Sequence, residues 1–136
     1  MRALTVGTFD LGHYGHADLF SWCRSVANEV VVGVNTDDFI KRYKGKPPVL
    51  SYDERVGIIQ AFRDVDEVLP NEAGEDSKPL ILRVAPDIIV IGSDWMKKDY
   101  MKQMNLTPEW LEEQRIALMY IPRHIKISTS DIKARL

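Results

Sequence analysis

The residues best suited to chemistry stand near the start of the chain, in Gly7-Thr8-Phe9-Asp10-Leu11-Gly12-His13-Tyr14-Gly15-His16. His13 and His16 are three residues apart, nearly one helical turn, so both imidazoles can face one ligand. Gly7, Gly12 and Gly15 allow the backbone a close approach or a positive φ. A helix starting here would offer unpaired N–H groups and a positive dipole end, which suits an anion such as phosphate. The stretch reads as a site that handles a triphosphate. A His-x-x-His pair also suits zinc. No nearby cysteine or third histidine completes such a ligand set, so no metal ligation by the chain is expected.

Other groups could serve the same anion. Lys41-Arg42-Tyr43-Lys44-Gly45-Lys46 places four cations within six residues and runs into Pro47-Pro48, which marks a loop. Taken alone it is a solvated charge run. Its functional reading is an arm that closes over phosphates, with the lysines neutralising developing charge. Ser128-Thr129-Ser130-Asp131 opens a terminal helix, as ordinary caps or as phosphate donors. Asp94, in Gly92-Ser93-Asp94-Trp95, either holds ribose hydroxyls or caps the next turn. Arg55 is expected on the exposed side of a helix, where a charge is usually solvated.

These residues need a scaffold, and apolar patterning supplies one. Ala3–Val6 reads as a strand and residues 14–27 as an amphipathic helix. Glu29–Asn35 is a valine-rich strand buried on both faces. Strand, helix, strand over this length is a βαβ unit. Thr36 or Asn35 caps a short helical turn through Phe39. Ser51-Tyr52-Asp53-Glu54 is a capping box opening a helix to about Phe62, with Val56, Ile58, Ile59 and Phe62 inward. Val65–Leu69 forms a strand ended by Pro70, and Asn71 to Lys78 a polar loop. A helix over 79–84 and the buried strand Pro86–Gly92 follow. The stretch 97–105 is partly helical, Thr107-Pro108 starts another helix, and Ala117–Ile121 is the fifth strand. Alternating strands and helices predict an α/β, three-layer Rossmann-like fold with a five-stranded parallel sheet. In such sheets ligands bind beyond the carboxyl ends of the strands, where the histidines and Asp94 fall.

At 136 residues the chain is long enough for one domain with a sizeable core, read here as 1–136. A net charge of −2 argues against general nucleic-acid binding. The one cysteine, Cys23, lies in an amphipathic helix and fits a buried thiol in a reducing compartment. Met1 leads straight into the first strand, leaving no room for a signal peptide, and no apolar run reaches membrane-spanning length. A cytoplasmic location is expected, with no membrane insertion.

Gly-Thr-Phe-Asp-x-x-His-x-Gly-His near one end and Ile127-Ser128-Thr129-Ser130 near the other together resemble the cytidylyltransferase-like family of nucleotidyltransferases. Lys44-Gly45-Lys46, Ser51-Tyr52-Asp53-Glu54-Arg55, Arg63-Asp64-Val65-Asp66-Glu67-Val68 and Gly92-Ser93-Asp94-Trp95 extend the resemblance over nearly the whole chain. Its glycerol-3-phosphate cytidylyltransferases are the members it resembles most. The resemblance implies transfer of a cytidylyl group from CTP to a small phosphorylated alcohol, in line at the α-phosphorus, with release of pyrophosphate. It implies Mg²⁺ carried with the triphosphate, and a homodimer. His13 and His16 correspond to the pair that stabilises the triphosphate in the transition state. Thr8, Phe9 and Gly15 correspond to nucleotide contacts, and Asp10 to a residue orienting the loop or a Mg²⁺ water shell. Lys44 and Lys46 meet the incoming and α-phosphates, Asp94 the nucleoside, and Arg123 with Ser128, Thr129 and Ser130 the phosphates. Arg55, Arg63 and Lys78 fall to the acceptor side, the two arginines alternatively to support of the fold.

The chain departs from those members at Arg123-His124-Ile125-Lys126, where they carry Arg-Thr-Glu-Gly. His124 and Lys126 could replace the lost phosphate contacts. An adenylyltransferase and a catalytically silent nucleotide-binding module are the competing readings. A redox dinucleotide-binding protein is disfavoured because the first turn lacks Gly-x-Gly-x-x-Gly spacing.

Overall fold

The computed structural model describes residues 1–92, 100–122 and 127–136. In chain order it contains β1 (Arg2–Gly7), α1 (Tyr14–Val26), β2 (Glu29–Asn35), α2 (Asp37–Lys44), α3 (Tyr52–Gln60) and β3 (Glu67–Asn71). The second half adds α4 (Lys78–Val84), β4 (Ile88–Gly92), α5 (Tyr100–Gln103), α6 (Pro108–Glu113), β5 (Ala117–Ile121) and α7 (Thr129–Arg135). The five strands form one parallel sheet in the order β3-β2-β1-β4-β5. The three-layer α/β expectation is met.

The period-two alternation of the strands builds two cores. Val30, Val32 and Val34 of β2 and Val90 of β4 face one layer, with Phe20 and Cys23 of α1 and Ile59 of α3. Val31, Ile89 and Ile91 face the other, with Leu80, Ile81 and Val84 of α4 and Leu111 of α6. Because both faces are covered, the inner strands read as continuous apolar runs. Burial of Cys23 pushes its thiol up to about 12. No helix among the described residues is long and apolar enough to cross a membrane.

Strand order reverses between β1 and β4, and there the sheet parts. β1 pairs with β2 at six positions, but with β4 only at Ala3↔Ile88 and Leu4↔Ile89. No register partners join Thr5–Gly7 to Val90–Gly92, so a crevice opens at the carboxyl ends of the two strands. Such a switch point is where α/β sheets accept ligands.

Three local expectations are corrected. The cations Lys41, Arg42 and Lys44 are not loop residues. They form the last turns of α2, which ends at Gly45 in a left-handed cap with φ 77°. Phe39 and Tyr43, one turn apart and stacked, hold that helix together. Pro70 lies inside β3 rather than ending it, which an edge strand tolerates because no partner needs its missing N–H. Ile58 is 39% exposed rather than inward, while Ile59 is fully buried.

Candidate active site

The loop joining β1 to α1 carries its strain on side-chain-bearing residues. Phe9 and Leu11 adopt φ of 52° and 54°, and none of the neighbouring glycines is positive. Each such residue costs about 1–2 kcal/mol. Phe9 recovers it by burial, worth about 1.5–3 kcal/mol for a large apolar side chain. Its ring packs on Phe20 and meets His16 edge-on at 5.2 Å. Gly7 gives it room, since a Cβ there would lie a tight 3.0 Å from the Phe9 ring.

Asp10 supplies the second anchor. It is 5% exposed, and its carboxylate accepts from the backbone N–H of Leu11 at 3.1 Å, Val49 at 2.7 Å and Leu50 at 3.0 Å. These bonds tie the histidine loop to the segment that precedes α3.

The loop ends in an unusual helix cap. His13 is the N-cap of α1, and its Nδ1 accepts from the Gly15 N–H at 3.1 Å. His16 sits at the third helical position, and its Nδ1 accepts from the His13 N–H at 3.2 Å. This is a capping box built from two imidazoles. A backbone N–H can only donate, so each Nδ1 is a bare acceptor and each neutral ring carries its proton on Nε2. The cap thus fixes both tautomers. The rings stack with centroids 3.7 Å apart. Gly15 makes room: a Cβ would fall 3.0 Å from His13 Cε1 and 3.1 Å from the Ile127 carbonyl.

The start of α7 closes on the same point. Thr129 donates its hydroxyl proton to the Asp10 carbonyl at 2.9 Å, leaving its oxygen as acceptor 3.5 Å from His13 Nε2. Ser128 is the N-cap of α7, in a capping box with Asp131. Between these elements lies a cleft of about 310 Å³. Thr8, Phe9, His13, Gly15, His16, Ser128 and Thr129 line it, together with Asp18, Leu19, Ile91 and Pro122. Leu19 was recoverable from the sequence, standing three residues from His16 on its helical face. Thr5 was not, because it enters only where β1 and β4 part.

The other candidates stand elsewhere. Arg55 is fully buried, not on an exposed face. It donates to the carbonyls of Leu50, Thr8 and Asn35 at 2.8–3.1 Å and pairs with Asp37 at 2.7 Å. With its nitrogens so committed, it supports the fold and does not meet an acceptor. Arg63 is exposed beside Tyr14, Ser21 and Asp64, in a groove along α1 outside the cleft. Lys78 begins α4, and its ammonium lies 5.8 Å over the Trp110 ring. Lys44 and Lys46 are exposed and do not line the cleft, and neither does Ser130. Asp94, Arg123, His124 and Lys126 lie outside the described residues.

A family model described as cytidylyltransferase-like matches residues 4–135. The chain belongs to the cytidylyltransferase-like family. Within it, the protein is 34% identical over 136 residues to a glycerol-3-phosphate cytidylyltransferase of Bacillus subtilis, covering 99% of this chain and 96% of that one. It is also 31% identical over 136 residues to an FAD synthase of Pyrococcus abyssi, covering 100% of this chain and 92% of the relative. A solved structure, the lipopolysaccharide core biosynthesis protein from Thermoplasma volcanium, shares the fold with a TM-score of 0.65 at 24% identity, over 88% of this chain and 95% of the other. This cytidylyltransferase-like chain therefore carries the nucleotidyltransferase fold, with the histidine box at its switch point.

Proposed function

We propose that this protein is a cytidylyltransferase moving a cytidylyl group from CTP to glycerol 3-phosphate or a related polyol or sugar phosphate. The observation that carries this reading is the histidine capping box, whose two Nε2–H donors sit on a cleft at the start of α1. An oxygen of the acceptor phosphate attacks the α-phosphorus. A new O–P bond forms while the bond to the β-phosphate oxygen breaks, and its electron pair leaves with pyrophosphate. No protein nucleophile is needed, so catalysis rests on positioning and charge stabilisation. His13 and His16 donate to phosphate oxygens as charge builds there, aided by the positive end of α1. Lys44, at the end of α2, and Lys46, on the arm that follows it, meet the phosphates, and Asp10 holds that arm at its downstream end. Thr8, Phe9, Gly15, Ser128 and Thr129, which line the cleft, meet the nucleotide. Asp94 and Arg123 are assigned to its nucleoside and its phosphates on the family resemblance alone.

Mg²⁺ supplies charge neutralisation when it arrives on the triphosphate. The described lining offers one carboxylate, Asp18, while Asp10 is committed to backbone amides. That donor set does not build a resident Mg²⁺ site, and no step is assigned to one. A homodimer fits the exposed apolar surface of Tyr14 and Ile58, and sedimentation velocity tests it.

A second reading is favoured by the similarity to an FAD synthase, whose product contains an adenylyl group. Pyrophosphate release with CTP and with ATP, across glycerol, polyol, sugar and flavin phosphates, separates the two. The cytidylyl reading expects release with CTP matched by formation of a CDP-alcohol. Turnover with ATP alone assigns adenylyl transfer. Nucleotide binding without any release leaves a non-catalytic module.

A further inference from the structure

Asp10 joins three separate parts of the active site, and the geometry shows what that does. The cationic arm has two ends. Upstream it leaves α2 at Gly45, whose left-handed turn has open space around it, with nothing within 4 Å of a would-be Cβ. Residues 41–47 are all exposed. Downstream the arm meets a clamp. The N–H groups of Val49 and Leu50 both point into the Asp10 carboxylate. The carbonyl on the other side of Leu50 accepts from Arg55 Nε at 3.1 Å. Arg55 in turn holds the Thr8 carbonyl, and Asp37, which pairs with Arg55, also accepts from the Tyr52 N–H at 3.0 Å. The Leu50 residue is thereby gripped through its N–H and its C=O by residues of the histidine loop and of α3.

Asp10 stands three residues before His13, and its own carbonyl takes the Thr129 hydroxyl. One residue thus fixes the distance from the imidazole pair to the base of the lysine arm and to the start of α7. Its carboxylate is buried and spends both oxygens on backbone amides, so it has little left for a nucleotide or a metal ion.

We propose that Asp10 is a positioning residue for the transfer reaction: it acts through the arm that runs from Lys44, at the end of α2, past Lys46, by holding the amides of Val49 and Leu50 at its far end, and not through contact with nucleotide or Mg²⁺. The proposal rests on the nucleotidyl-transfer reading. Its effect is on where the arm stands when charge builds on the phosphates.

The test is a double-mutant cycle on the full chain, with kcat and nucleotide KM measured for the wild type, Asp10→Asn, Lys44→Ala/Lys46→Ala and the triple variant. An amide keeps the shape of the side chain but offers one acceptor oxygen where the carboxylate offers two. Asp10→Asn is expected to lower kcat at least about tenfold. In the Lys44→Ala/Lys46→Ala background the same change is expected to cost less than about twofold, because the arm no longer carries the charges it positions. The Mg²⁺ concentration for half-maximal rate should stay within about twofold in Asp10→Asn. An equal loss of kcat in both backgrounds, or a Mg²⁺ requirement raised by about tenfold or more, would overturn the proposal and assign Asp10 a direct role.

Amide hydrogen exchange reads the clamp without activity: Val49 and Leu50 should lose protection in Asp10→Asn while the strands keep theirs. Retained protection at those two amides also overturns it. Should Asp10→Asn fail to fold, Asp10→Glu, which keeps both oxygens one methylene farther out, is put through the same cycle. Absence of transfer by the wild type with every nucleotide would instead refute the proposed function, a result the variants cannot mimic.

Discussion

Two helices of this protein open with the same hydrogen-bond pattern and use it differently. At α3, Ser51 accepts from the Glu54 N–H and Glu54 accepts from the Ser51 N–H. At α1, His13 and His16 take those places. Ser51 and Glu54 lie outside the cleft, and the box at α3 contributes stability. An imidazole has two nitrogens, so a neutral histidine that caps with Nδ1 carries its proton on Nε2. The box at α1 is therefore a cap and also a device that sets the tautomer of two imidazoles that line a cleft. Glycine shows the same contrast: Gly57 in α3 has nothing within 4 Å of its would-be Cβ, whereas Gly15 in α1 is hemmed in by His13 and Ile127.

The largest expected difference is at the third position of each box. His16→Ala should lower turnover at least about a hundredfold, through loss of a transition-state donor, with a stability loss of about 1 kcal/mol. Glu54→Ala should cost a similar 0.5–1 kcal/mol or so in stability and change turnover by less than about twofold. Equal effects on turnover would erase the distinction between the two boxes.

His13→Asn sharpens it further. Asparagine is a good N-cap and can accept from the Gly15 N–H, but it has no donor at the place of Nε2. Thermal unfolding should place its stability within about 0.5 kcal/mol of the wild type, while turnover falls at least about tenfold. Full activity with an asparagine cap would mean that capping alone is the role of His13.

The glycine pair comes next. Gly57→Ala should stabilise by roughly 0.5–1 kcal/mol, the helix-propensity gain at an open site. Gly15→Ala should destabilise by about 1–2 kcal/mol and reduce turnover, because the methyl group displaces the His13 ring or the Ile127 carbonyl.

The far end of α1 gives the smallest effect. There Asp66 accepts from the Val30 N–H and from Arg24, both at 2.7 Å, and these hold its carboxyl below the usual range, the Val30 amide contributing most. A depressed folded pKa stabilises above the unfolded value of about 3.9 and loses that contribution as pH falls through the folded one. The Tm difference between wild type and Asp66→Asn should thus be present at pH 7 and shrink below about pH 4. It should be small throughout, because the Asp66 side chain is 42% exposed. Turnover should not follow it.

The sequence made the sheet legible wherever local pattern and burial agree. The valine run of β2, the isoleucine run of β4 and the Ser51 box all form as their residues dictate. The histidine pair was legible for the same reason: a strand, a turn and a helix are local. What was not legible depends on contacts distant in the chain. Nothing around Arg55 announces that its partners are Thr8 and Asn35, 47 and 20 residues away, so an arginine on a polar helix reads as solvated. Asp10 was ambiguous until Val49 and Leu50, 39 and 40 residues on, came to it. At α2 the two prolines and Gly45 drew the loop boundary too early, although Phe39 and Tyr43 at helical spacing were the opposing signal.

The central claim is that the cap of α1 presents two Nε2–H donors to a nucleotide. Long-range ¹H–¹⁵N correlation of the imidazoles, with His13 and His16 assigned through single substitutions and recorded with and without CTP, tests it directly. The account predicts a bare Nδ1 and a protonated Nε2 for each ring when it is neutral, with the Nε2 resonances moving on addition of CTP. Protonation at Nδ1 in either ring, or Nε2 resonances that stay in place when CTP is bound, would contradict it.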